Sequence, residues 1–76
     1  MKPIHPNYPS FVREVRRQLA LSQEDLAREL GVSFATVNRW ENGVSKPSRL
    51  ARAQLEAFCG RMAEDGRLEL PQYPSK

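Results

Sequence analysis

The chain has 76 residues, 39% of them hydrophobic and 28% charged, with 12 basic against 9 acidic side chains for a net charge of +3. This is the composition of one small globular domain, too short for a catalytic cleft beside a second domain and mildly basic, which suits a polyanionic partner. A single cysteine, Cys59, and a single histidine, His5, leave no intrachain disulfide and no zinc finger; with no apolar run long enough for a signal peptide or a membrane span, the expected compartment is the cytoplasm.

Residues 1–8 contain two prolines and no hydrophobic period, and read as a flexible arm. Pro9 suits the first turn of a helix, where its missing N–H costs nothing. Phe11, Val12, Val15 and Leu19 then recur at helical spacing, which predicts helix one over Pro9 to Leu19. Ser22 is positioned to cap helix two, with Asp25 at the reciprocal position of a capping box, one methylene shorter than the usual Glu. Leu21 and Leu26 have the spacing of a hydrophobic staple, and Gly31 is placed to stop the helix in the left-handed conformation.

The grammar repeats in helix three, Ser33 to Asn42. Ser33 caps it, Val32 and Val37 form a second staple, and Gly43 ends it. Only Gly31, Val32 and Ser33 separate the two helical spans, so they must meet at a sharp angle. The loop Val44-Ser45-Lys46-Pro47 leads to helix four, capped by Ser48. Ala51, Leu55, Phe58 and Met62, with Leu50 and Cys59 adjacent, form one apolar face, and Gly66 is its expected end. Cys59 lies on the same stripe as a buried, inert thiol. Leu68 and Leu70 alternate with Glu69 and allow a short strand within a tail of residues 67–76. The domain proper is therefore expected over residues 9–66.

In the run QEDLARELGVSFATVNRWEN, apolar or small residues stand where two crossing helices must pack: Leu26, Ala27, Leu30, Gly31, Val32, Val37 and Trp40. Trp40 reads as a core anchor. The opposite side of helix three carries Phe34, Ala35, Asn38, Arg39 and Asn42. A helix held from behind with a varied face left free suits the major groove of DNA. Residues 22–47 carry three basic and four acidic groups, so any affinity for DNA must come from placement rather than bulk charge.

LSQ, LAREL followed by GVS, and WENG occur together here, and with them the chain resembles the Cro and phage-repressor type of helix-turn-helix domain, the xenobiotic-response-element family. The resemblance covers residues 9–62. It implies an all-α, lambda-repressor-like bundle of four to five helices that binds double-stranded DNA, with repression or activation of transcription, in a prokaryotic or phage setting, as the usual role. It implies that Gln23 meets a DNA phosphate, and that Glu41 pairs with Arg16 in an ion pair that sets helix orientation more than it adds stability. Thr36, Asn42, Lys46 and Arg49 are candidates for further phosphate contacts, which set register.

Phe34, Ala35, Asn38 and Arg39 are the candidates for reading bases. Arg39 suits guanine, Asn38 suits adenine, and the apolar pair suits a thymine methyl. The alternatives are local packing for Phe34 and a phosphate contact for Arg39. No enzyme constellation is present: Ser22, Ser33 and Ser48 are explained by capping, and no cofactor or metal is expected. One such module buries too little for useful specificity alone, so a homodimer on DNA is expected, with the stretch after Phe58, including Met62 and the Leu68–Leu70 segment, as its added surface. Other readings are an antitoxin or DNA-recognition module working with a protein partner, or a protein-interaction domain on the same scaffold.

Overall fold

In the computed structural model, residues 7–69 and residue 74 are described. Among them are four helices: α1 (Tyr8–Leu19), α2 (Gln23–Leu30), α3 (Phe34–Glu41) and α4 (Arg49–Glu64). The described residues contain no strand. None of these helices is long and apolar enough to cross a membrane.

Each helix begins on a side-chain cap. Ser22 and Asp25 close the capping box from both sides: the Asp25 amide donates to Ser22 Oγ at 2.9 Å and the Ser22 amide donates to Asp25 Oδ2 at 3.1 Å. The shorter Asp therefore reaches as far as the box requires. Ser33 and Ser48 accept from the amides of Thr36 and Ala51. A fourth cap was not read from the sequence. Asn7 Oδ1 accepts from the Ser10 amide at 2.9 Å, so α1 starts one residue early, at Tyr8. Tyr8 is buried in the core. Of the expected arm, residues 1–6 lie outside the described residues.

Four helix ends share one geometry. A residue with positive φ follows the last turn, and the next amide reaches back to a carbonyl five residues earlier. Gly31, Gly43 and Gly66 hold that place after α2, α3 and α4, at φ of 72°, 73° and 73°. After α1 it falls to Ala20, at φ 56°, with Leu21 N–H on Arg16 O at 3.0 Å. Helix α4 stops at Glu64, with Asp65 as its cap and Gly66 just beyond.

The core draws on every helix: Phe11, Val12, Val15 and Leu19 of α1; Leu26, Ala27 and Leu30 of α2; Val37 and Trp40 of α3; Ala51, Leu55, Phe58 and Cys59 of α4. Leu21 and Val32, the expected staple residues, pack against it. Leu50, expected beside the apolar face of α4, is instead 74% exposed, because its position in the first turn points away from the core. Helix α3 lies against both α1 and α2, and α4 packs on α2. The strand expectation does not hold at its described residues. Leu68 and Glu69 have no regular structure, and Leu70 lies outside the described residues. Leu68 is buried in the core, and Glu69 is held through its backbone by Gln18: N–H to Oε1 at 2.7 Å and C=O from Nε2 at 3.0 Å. Those two bonds cross between the tail and α1, so Leu68 points inward rather than along a sheet. It is spent in its own fold and cannot serve as the expected dimer surface; Met62 is partly buried against the same core.

Candidate nucleic-acid interface

Helix α3 is clamped from within. Val37 and Trp40 are buried, Trp40 at 1% exposure, and the carboxylate-bearing Glu41 beside them at 3%. With its inner side fixed, the outer side stands free. Phe34 is 50% exposed, Ala35, Arg39 and Asn42 are exposed, and Asn38 is half-buried. Asn38 is partly covered by Gln23 from α2. Phe34 borders a shallow groove with Ala27, Glu24, Arg28 and Val32 while half its surface faces outward.

Glu41 is the electrostatic centre of the site. Arg16 grips it with two parallel bonds, Nε to Oε2 at 2.6 Å and Nη2 to Oε1 at 2.9 Å. The third Arg16 nitrogen, Nη1, donates to the Leu21 carbonyl at 3.1 Å. This ties the end of α1 to the end of α3 and to the start of α2. Burial pushes the Glu41 carboxyl up, but hydrogen bonds from Arg16 and Gln23 and the charges of Arg16 and Arg13 outweigh it, so the group sits below its ordinary value of 4.5. Among the described residues, no buried side-chain nitrogen or oxygen lacks a hydrogen-bond partner.

Arg13 belongs to the same cluster and was not read from the sequence. Its Nη2 donates to the Glu41 backbone carbonyl at 2.9 Å, and its Nε lies 3.7 Å from Glu41 Oε1. A cation at the last carbonyls of α3 is favoured by the helix dipole. The signal was present: Arg13 stands three residues before Arg16, one turn back on the same helix face.

Gln23 is bonded to side chains of α3. Its Nε2 donates to Glu41 Oε1 at 2.9 Å, and its Oε1 accepts from Asn38 Nδ2 at 3.1 Å. Asn42 Nδ2 in turn donates to Asn38 Oδ1 at 3.0 Å. The Thr36 hydroxyl is bonded to Ser33 Oγ at 2.9 Å. Lys46 and Arg49 flank the loop after α3, both exposed. The structure thus brings Gln23, Asn38, Asn42, Arg16 and Glu41 into one bonded set. It leaves Phe34, Ala35, Arg39, Lys46 and Arg49 as independent exposed groups.

Two short helices at a tight glycine turn, the second braced from behind and open in front, define a helix-turn-helix domain of the DNA-binding kind. A helix-turn-helix family model matches residues 12–60, and the chain belongs to that family, in its Cro and repressor type. Over 52 residues it is 35% identical to a protein of Methanothermobacter thermautotrophicus described as an uncharacterized helix-turn-helix type transcriptional regulator; the match spans 68% of this chain and 75% of that one. No solved structure matches the chain significantly.

Proposed function

We propose that the protein is a transcriptional regulator that binds a specific site on double-stranded DNA by inserting α3 into the major groove. The observation that carries this reading is the orientation of α3, with Trp40 and Glu41 buried behind it and Phe34, Ala35, Asn38 and Arg39 in front. Arg39 reaches for a guanine edge, Asn38 for adenine, and Phe34 with Ala35 for a thymine methyl. Lys46, Arg49, Thr36 and Asn42 meet phosphates on either side. Gln23, at the first turn of α2, adds the positive end of that helix to the same backbone. The protein acts without chemistry of its own, in the cytoplasm.

One module covers only about 600–1,000 Å². We therefore infer binding as a homodimer on two half-sites about 34–36 Å apart, one helical turn. Selection of bound duplexes from a random pool tests both parts. The expected result is a palindromic consensus. A pool that stays random after repeated rounds would reject sequence-specific binding, and a single asymmetric site would reject the dimer.

A further inference from the structure

A carboxylate only accepts hydrogen bonds, whereas a side-chain amide has a donor end and an acceptor end. This difference gives the bonded set around Glu41 a direction. Glu41 Oε1 faces Gln23, so only the nitrogen end of the Gln23 amide can point at it, and does at 2.9 Å. The oxygen end is then turned toward Asn38, where it accepts from Nδ2. That leaves Asn38 Oδ1 facing Asn42, which donates from its own Nδ2. Reversing any one amide would set nitrogen against nitrogen or oxygen against oxygen. The first member cannot reverse, because Arg16 holds the carboxylate in its ionised, acceptor-only form.

We propose that Gln23 is a specificity-positioning residue: through it the ion-paired Glu41 fixes the direction of the Asn38 amide, so that α3 offers Asn38 to the major groove in the one donor–acceptor order that fits adenine. After its two internal bonds Asn38 keeps one N–H and one carbonyl lone pair. Adenine presents an acceptor at N7 and a donor at N6, whereas guanine presents acceptors at both N7 and O6. An amide free to turn could aim its nitrogen at guanine O6; one held by Gln23 sets its carbonyl oxygen against it. Holding the group beforehand also removes the loss of rotamer freedom on binding. This assignment rests on the DNA-reading function proposed above.

The test compares the wild type with Gln23→Met, Gln23→Lys and Asn38→Ala, with and without DNA. Met keeps the length of Gln and removes both polar ends. Lys keeps a donor for Glu41 but offers Asn38 no acceptor, so the buried carboxylate stays partnered and folding is preserved. In the free protein, both Gln23 variants are expected to shift the NMR resonances of the Asn38 side-chain NH₂ and to speed its exchange with water. On DNA, both lower the preference for adenine over guanine about tenfold, at the base pair that Asn38→Ala renders indifferent; the readout is this ratio, which an even loss of affinity across all duplexes leaves untouched. Gln23→Lys restores or raises overall affinity through its charge without restoring that preference.

A uniform loss across all sequences, with discrimination intact, would make Gln23 a phosphate contact alone and overturn the proposal. Unchanged Asn38 amide resonances in the DNA-free variants would overturn it as well. A wild type that selects no sequence would reject the functional reading and the adenine preference together, whereas a wild type that selects a consensus unaffected by Gln23→Lys would reject only this assignment.

Discussion

Arg16 and Glu41 make a pair whose removal is expected to cost more than its presence adds. Breaking one side of a buried ion pair strands the other charge, at about 3–5 kcal/mol. Arg13 and Gln23 remain beside Glu41, so Arg16→Ala should fall near the lower end of that range in chemical denaturation. The pH dependence has a definite sign. The Glu41 carboxyl is held below 4.5 in the folded protein, so its contribution is complete above that value and is lost as pH falls through the lower folded one. Melting curves on acidification should therefore drop more steeply for the wild type than for Glu41→Gln; parallel curves would mean that Glu41 gains nothing from its partners. On the outer flank, Arg39→Ala should lose about 1–3 kcal/mol of DNA affinity concentrated at one base pair. A loss spread evenly over all sequences would demote Arg39 to the backbone.

At the scale of the helices, the four ends use one left-handed closure, three times with glycine and once with Ala20. An alanine in that region is strained by its Cβ, by roughly 1–2 kcal/mol. Ala20 is exposed and the closure uses only its backbone. Ala20→Gly should therefore raise stability, by up to about 1 kcal/mol once the greater freedom of glycine in the unfolded chain is counted, which a shift in denaturation midpoint would register. A lower midpoint would show that the alanine sits there without strain. Helix ends with glycine were legible in the sequence, and so was the Ser22–Asp25 box, because both are written within four residues. The end of α1 was legible only as a loss of period after Leu19, since nothing about an alanine marks a left-handed turn. Asn7 was hidden in a proline-rich stretch, where its short side chain looks like any turn residue.

Over the whole molecule, charge is distributed so that the duplex must be met at particular points. The first 21 residues carry four basic groups and one acidic, whereas residues 22–47, which contain both helices of the motif, are net negative. Part of the basic excess in α1 is already committed: Arg16 and Arg13 to Glu41, and Arg17 to Glu14 at 2.6 Å. The exposed cations left near α3 are Arg39, Lys46 and Arg49. A modest salt dependence follows, with a slope of log affinity against log salt of about −0.9 per phosphate contacted. Lys46→Ala should reduce that slope by about 1 for each chain bound without altering the selected sequence. A slope near zero for the wild type would contradict duplex binding outright.

The sequence by itself determined four helices, three of their caps, the glycine turns, the buried indole and the exposed flank of α3. Each of these is encoded by neighbours within a turn or two, through hydrogen-bond rings and hydrophobic period. Family resemblance added the Arg16–Glu41 pair. Only the tertiary structure decided what Gln23, Asn38 and Arg13 touch, because their partners lie 15 to 28 residues away along the chain. It also decided that Leu68 turns into the core. Those contacts exist only once α3 is seated against α1 and α2, where a buried carboxylate must find every donor within reach; no local pattern states which amide will be there or which way it will face.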